Sequence, residues 1–210
     1  MDLPRIRLRI RFRKVDDLRW ISHRDLVRAL ERLFRRAKLV LRMSEGFHPK
    51  PRMSFPSALA LGVEGLDEVM ELELAESMQA EDVQQRLTEL APPGLVITHV
   101  MVVDPAKGKM RVQSMAYRFP LPGDRCEEVR HTISDIMNQP QVLVTRDGRQ
   151  DPIDLRAGLE ELTVTDDGVN FRIRESHNVS VRPRDLLEFL KLADLESEGY
   201  YLTRTSVELA

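Results

Sequence analysis

The chain has 210 residues, 42% of them hydrophobic and 31% charged, with a formal net charge of −2, a length that suits one large or two small domains around a real core. Its single cysteine, Cys126, excludes an intramolecular disulfide, and neither a multi-cysteine zinc site nor a cysteine-held iron–sulfur cluster can be built from this chain alone. No apolar run approaches the ~20 residues that cross a bilayer, and the amino terminus alternates Arg with apolar residues where a secretory signal would be continuously apolar, so the cytoplasm and no membrane partner are expected.

Pro4 to Arg52 opens with RIRLRIRFR, in which Arg5, Arg7, Arg9, Arg11 and Arg13 alternate with Ile6, Leu8, Ile10 and Phe12. Strand side chains alternate between faces, so this strand buries its apolar residues and shows five guanidinium groups on the other side. Lys14 to Arg19 reads as a polar turn. Ser22 is an N-cap with Asp25 in the capping-box position, and Leu26, Leu30, Leu33 and Ala37 follow at helical spacing, with Val27 and Phe34 widening the stripe. Arg24, Arg28, Arg32, Arg35 and Arg36 occupy the other side. Leu39 to Met43 is a short strand. Gly46 opens an FHPKP loop stiffened by Pro49 and Pro51, and Met53 to Leu61 is extended.

Val69 to Leu74 alternates again, setting Met70, Leu72 and Leu74 against Glu71 and Glu73. A helix over Ala80 to Leu90 stops at Pro92, Pro93 and Gly94, and Leu95 to Val103 is an apolar strand. This order is the split βαβ of a ferredoxin-like unit. After a polar linker over Asp104 to Gln113 the order repeats. Met115 to Pro120 is a strand, Arg125 to Met137 a helix, and Gln141 to Arg146 a strand before a turn at Asp147 and Gly148. Leu159 to Val164 and Val169 to Arg174 form a hairpin, Arg184 to Leu192 a helix behind Pro183, and Tyr200 to Leu209 a strand. The expected fold is α+β: tandem ferredoxin-like units with mostly antiparallel sheets, a basic one over 1–104 carrying the GFHPKPR loop and an acidic one over 112–210. One merged sheet is the alternative.

Charge is polarised in the same way. The first 52 residues hold 16 Lys/Arg and 6 Asp/Glu, a balance of +10, and the remainder 16 and 28, a balance of −12. Such asymmetry points to a polyanionic partner or to self-complementarity. In the ferredoxin-like topology the first strand's arginines line the face away from the helices, where RNA-binding modules of this fold take their ligand with stacking aromatics. Here those positions hold Arg, so phosphate contact would dominate. The candidate nucleic-acid-binding residues are Arg5, Arg7, Arg9, Arg11, Arg13, His48, Lys50 and Arg52. The competing reading pairs the arginines with Glu71 and Glu73 on the neighbouring strand as ordinary cross-strand stabilisation.

His23 and His48 are the candidates for general acid–base chemistry, although no second catalytic partner is visible beside them. His99, His131 and His177 lack metal-ligand spacing, so no metal is expected. GxxxxGK[ST], GxGxxG and GxSxG are absent, and no cofactor is expected. Trp20 reads as a staple against the first turn of the helix.

RIRFRKVDDLRWISHRDLVRALERLFRRA followed by SEGFHPKPRMSFPSALALGVEG resembles the radical-SAM-linked protein family, an uncharacterised bacterial and archaeal domain of unknown function. The resemblance is specific over about residues 5–75 and is carried further by stretches such as VRPRDLLEFL. The family commonly shows Leu where Arg24 stands. It implies a protein encoded beside, or fused to, a radical-SAM enzyme, and it supplies no catalytic residues. The tandem layout also resembles, more distantly, that of CRISPR repeat-processing endoribonucleases, an analogy of fold alone. Three functions follow as expectations. The first is a non-catalytic accessory protein that presents tRNA or rRNA to a radical-SAM partner. The second is a metal-independent endoribonuclease using a histidine. The third is a protein-docking module without nucleic acid.

Overall fold

Alternation in the sequence becomes alternation in burial along β1 (Ile6–Lys14), where Leu8, Ile10 and Phe12 are sealed at 0–1% exposure. The structure is a computed structural model and describes residues 6–104, 106–146, 151–175 and 181–210. Arg5 and the turn at Asp147 and Gly148 lie outside them. Lys14, expected in a polar turn, instead continues the core face of β1 and is fully buried. A 3-10 turn over Asp16–Trp20 folds back over the strand end, and the Lys14 ammonium donates to the carbonyls of Arg19 (3.2 Å) and Ile21 (3.1 Å). A buried ammonium is tolerated only with such acceptors.

Helix α1 (His23–Arg36) starts where the capping box places it. The Asp25 N–H donates to Ser22 Oγ (3.2 Å), and the Ser22 hydroxyl donates to Asp25 Oδ2 (2.7 Å). That hydroxyl, with Arg28 and Arg24 nearby, holds the Asp25 carboxyl below its ordinary range. Leu26, Leu30, Leu33 and Phe34 are buried, each stabilising by about 1.5–3 kcal/mol. Ile21, just before the cap, packs on the core cluster that contains Leu26. It holds the staple position expected of Trp20, which is half exposed and turned onto Gly62. The helix ends in a Schellman motif: Leu39 N–H bonds Phe34 O and Lys38 N–H bonds Arg35 O, both at 3.1 Å, with Lys38 left-handed at φ 55°.

The expected strand over Leu39 to Met43 is reduced to isolated bridges, Leu41 to Leu74 and Met43 to Pro51. The edge resumes as β2 (Met53–Ser54), which pairs with Leu72 and Glu71 of β3 (Glu64–Leu74). Pro49 and Pro51 lack the N–H a ladder needs, so residues 43–51 leave the edge as a loop. Helix α2 (Ala80–Leu90) buries Ala80, Val83 and Leu87. In β4 (Leu95–Val103) the register against β1 shifts between Arg11–His99 and Phe12–Ile97. That bulge turns His99 outward and brings Val100 into the core with Leu95 and Ile97. The unit's sheet order is β4-β1-β3-β2, antiparallel throughout. It belongs to the first of two compact units, Met1–Arg111 and Val112–Ala210.

The second unit runs β5 (Val112–Phe119), α3 (Cys126–Asn138), β6 (Leu143–Val144), β7 (Ile153–Asp154), α4 (Leu155–Gly158), β8 (Leu159–Thr165), β9 (Gly168–Arg174), α5 (Pro183–Phe189) and β10 (Thr203–Leu209). Its sheet order is β10-β5-β9-β8, again antiparallel. Counting β8 as second strand, this is the same split βαβ plan. The strand expected over Gln141 to Arg146 shrinks to β6, which among the described residues pairs with β7 alone. Gly168 has φ 148° and approaches the next strand so closely that a Cβ would meet Phe119 O at 2.3 Å. No helix among the described residues is long and apolar enough to cross a membrane.

Denaturant unfolding checks this account of the first unit. Lys14→Ala is expected to cost about 2–3 kcal/mol by stranding buried carbonyls, and Ser22→Ala about 1 kcal/mol. Because Asp25 is held low, its part of the cap is present above about pH 4 and is lost as pH falls through its folded value. The gap between Ser22→Ala and wild type should therefore narrow in acid to the part set by the pH-independent bond from Asp25 N–H to Ser22 Oγ.

Candidate nucleic-acid interface

On the face of the first sheet away from α1 and α2, β1 sets Arg7 opposite Glu73 and Arg9 opposite Glu71. The side chains make stronger pairs than the register alone requires. Arg7 Nε donates to Glu71 Oε2 at 2.7 Å, and Arg9 donates to Glu71 Oε1 through Nε (3.1 Å) and Nη2 (2.9 Å). Arg11 Nη1 bonds Asp67 Oδ2 at 2.5 Å. The two remaining nitrogens of Arg7 bond the carbonyls of Lys107 and Gly108, both at 2.6 Å. They tie down the beginning of the segment read as a linker. Arg7 is 8% exposed and Glu71 4%. Charge-assisted bonds of this kind hold the guanidinium planes in place. Three arginines thus bond two carboxylates, those of Glu71 and Asp67, while Glu73 lies 3.9 Å from Arg42 Nε. Arg13 stands exposed near the end of β1.

The accessible positive charge lies on α1. Arg24, Arg28, Arg32 and Arg35 are three or four residues apart and exposed, so they form one stripe along the helix. Arg28 leans on Asp25 at 3.3 Å, and Arg36 donates to Leu90 O at 2.6 Å. Arg24, Arg32 and Arg35 make no ion pair with a described residue, and neither do exposed Lys38 and Lys50. Aligned unpaired cations on one helix face raise the local potential far more than the net charge suggests.

The GFHPKPR loop continues this surface. Its neck is closed by Ser44 N–H to Lys50 O (2.7 Å), Lys50 N–H to Ser44 Oγ (3.0 Å) and Arg52 N–H to Arg42 O (2.8 Å). Gly46 at φ 121° makes the turn. Phe47 and His48 stand exposed at the tip. A groove of about 400 Å³, lined by Arg35, Leu39, Met43, Pro49 and Pro51 among others, joins the loop to the last turns of α1. Arg52 stands between the loop and the sheet, its Nη2 lying 3.9 Å from Glu45. It bonds Met43 O at 3.3 Å and lines a cavity of about 560 Å³ with Arg7, Ser54, Phe55, Glu73 and Lys109. The candidate residues therefore separate. Arg7, Arg9 and Arg11 are held on the sheet, Arg52 stands beside them, and His48 and Lys50 sit on the loop.

His23 is the first residue of α1, and its ring packs edge-on against Phe55 with centroids 5.0 Å apart. Among the described residues, no group of three or more His, Cys, Asp or Glu side chains could hold a metal ion. The second unit's cations are extensively paired. Arg172 bonds Glu208 (2.6 Å), and the Ser114 hydroxyl with Arg172 holds the Glu208 carboxyl below its ordinary range. Arg146 pairs with buried Asp185, which raises the guanidinium above its ordinary value. Sequence reasoning named the α1 arginines but left them without a role, and it did not weigh Phe47. The arginines' recurrence every three or four residues was visible in the sequence, with Asp25 and Glu31 at the same spacing; Phe47 carried no such signal.

If Glu71 is the internal counter-ion, Glu71→Ala should destabilise the protein by about 3–5 kcal/mol, since it leaves Arg7 buried and unpaired. Asp67→Ala, at a more exposed pair, should cost under about 1 kcal/mol. Chemical denaturation of the two variants checks the difference.

Among solved structures, the small subunit of acetolactate synthase from Thermotoga maritima is similar at 10% identity, over 99% of this chain and 96% of that one, with a TM-score of 0.28. An unknown protein from Galdieria sulphuraria is similar at 13% identity over 99% of both chains, also with a TM-score of 0.28. At that score neither likeness carries an inference about this chain. No curated protein matches it. The sequence profile of DUF2344, described as an uncharacterized protein conserved in bacteria, matches residues 7–183. That span is most of the molecule, and the chain belongs to the DUF2344 family.

Proposed function

We propose that the protein is an RNA-binding accessory protein that takes RNA, of the tRNA or rRNA class, on the exposed basic surface of α1 and the GFHPKPR loop. It would present that RNA to a radical-SAM enzyme. The observation that carries the reading is the split among the cations. Arg7, Arg9 and Arg11 are bonded to Glu71 and Asp67, while Arg24, Arg32 and Arg35 are exposed along one side of α1 and Lys38 and Lys50 are exposed after it. A phosphate chain gains most from cations that need not first give up a carboxylate. The partner assignment rests on the sequence resemblance alone. With one cysteine, any iron–sulfur chemistry of the complex belongs to the partner.

Titration of bulk tRNA at two salt concentrations tests the RNA part. The triple variant Arg32→Gln, Arg35→Gln, Lys50→Gln is expected to lose more than about tenfold in affinity. Its slope of log K against log salt should be shallower by about 2, at roughly 0.7 per lost phosphate contact on a single strand. Arg9→Gln with Arg11→Gln should bind as the wild type does. His23→Ala and His48→Ala should also bind, and the wild type should leave RNA uncut. Absent or salt-insensitive binding would favour the docking of a protein, and cleavage lost with either histidine would favour a nuclease. Mass spectrometry of proteins purified with the chain from its own cells tests the other part. A partner carrying CxxxCxxC is expected, and its absence would contradict the radical-SAM assignment.

A further inference from the structure

Phe47 has a relative exposure of 102%, so its ring touches nothing in the protein. Single exposed apolar side chains are common on proteins and ordinarily carry no meaning. This one differs in how it is held. The loop bearing it is closed at the neck by the Ser44 and Lys50 backbone bonds and by the Met43–Pro51 bridge, and Pro49 and Pro51 restrict the chain on one side of the tip. The order does not come from burying the tip, because residues 45–50 are all exposed. The neck bonds therefore restrain the backbone that presents the ring to water, which lowers the entropy the loop loses when something docks on it.

Its surroundings choose the occupant. Lys50 lies three residues away on the same loop, and Arg35 lines the groove that joins the loop to α1. Beyond it the unpaired stripe of Arg32 and Arg24 runs along the helix. The helix and loop around the ring keep a net positive charge, with Glu31 and Glu45 standing among their arginines and lysines. The groove between them is otherwise lined by Leu39, Leu41, Met43, Pro49 and Pro51. The net charge favours an anionic occupant over an apolar one. An aromatic face beside a cationic track is the arrangement that binds single-stranded nucleic acid, with a base on the ring and phosphates on the charges. The outward positions of β1 that could have offered such a ring hold arginine instead.

We infer that Phe47 is a stacking platform for one unpaired base of an RNA loop or single strand, and that it confers a preference for unpaired over duplex RNA. This rests on the RNA-binding reading above. Since Phe47 contacts nothing, Phe47→Ala should leave folding and thermal stability unchanged. Its affinity for a short single-stranded RNA should fall on the order of tenfold, with the salt slope unaltered, while a duplex of the same sequence should bind as before. Phe47→Trp should restore affinity, and its added indole fluorescence should be quenched by the single strand and not by the duplex.

If Phe47→Ala binds the single strand as tightly as the wild type does, the inference is overturned. The triple Arg32, Arg35, Lys50 variant separates the two failures. A triple variant that weakens binding beside a silent Phe47→Ala removes the stacking platform and leaves the RNA reading standing. If neither alters binding, both fall. Loss of a co-purifying protein by Phe47→Ala, with RNA binding intact, would make the ring a protein anchor and overturn the inference as well.

Discussion

The Glu71 carboxylate stands between Arg7 and Arg9 in the first sheet, bonding one through each oxygen, and this shared acceptor decides which cations the molecule can offer to anything else. With Glu71 4% exposed, the cluster behaves as part of the fold. Arg7, bonded at once to Glu71 and to the carbonyls of Lys107 and Gly108, joins the sheet to the start of the segment that leads to Val112. Removing the carboxylate would leave a guanidinium stranded in a site built for an ion pair, where the loss of one partner costs far more than the pair itself contributes. A strand that looks like a ligand surface in sequence is therefore structural at its centre.

The consequence reaches the other side of the unit. With the sheet arginines neutralised internally, the positive excess of the first 52 residues is left on α1 and on the loop that follows it. The helix is well placed to carry it. Leu26, Leu30, Leu33 and Phe34 fix one face against β1 and β3, and the Ser22 cap and the Schellman stop at Lys38 fix both ends. The arginines at matching spacing consequently keep a constant direction. The loop borders the last turns of the same helix across the groove lined by Arg35, Met43 and Pro49, so stripe and tip form one surface.

Much of this was legible in the residues. The period-two pattern of RIRLRIRFR, the Ser22–Asp25 cap and the Pro92-Pro93-Gly94 stop each state a local geometry that tertiary packing did not override. Element order then carried the split βαβ plan for both units. What failed were features set by how the chain turns back on itself. Lys14 is buried where carbonyls five and seven residues on return over it, and neither composition nor period reports that. The Leu39 to Met43 strand gave way because the segment divides its pairing, Leu41 bridging Leu74 and Met43 bridging Pro51. The bulge that reverses His99 and Val100 leaves no mark in the run LVITHVMVV. Within the candidate site, the Arg–Glu opposition on adjacent strands was foreseeable from topology. The doubling of Arg7 and Arg9 onto one oxygen pair was not, because it depends on side-chain reach and on burial of Glu71.

Photo-crosslinking of bound tRNA, with mass spectrometry of the RNA-linked peptides, tests most directly the claim that RNA lies on α1 and the loop. The account gives adducts within residues 23–52, concentrated at Phe47 and around Arg32 and Arg35, and none on the β1 arginines. Adducts confined to residues 112–210, or centred on Arg9 and Arg11, would contradict it.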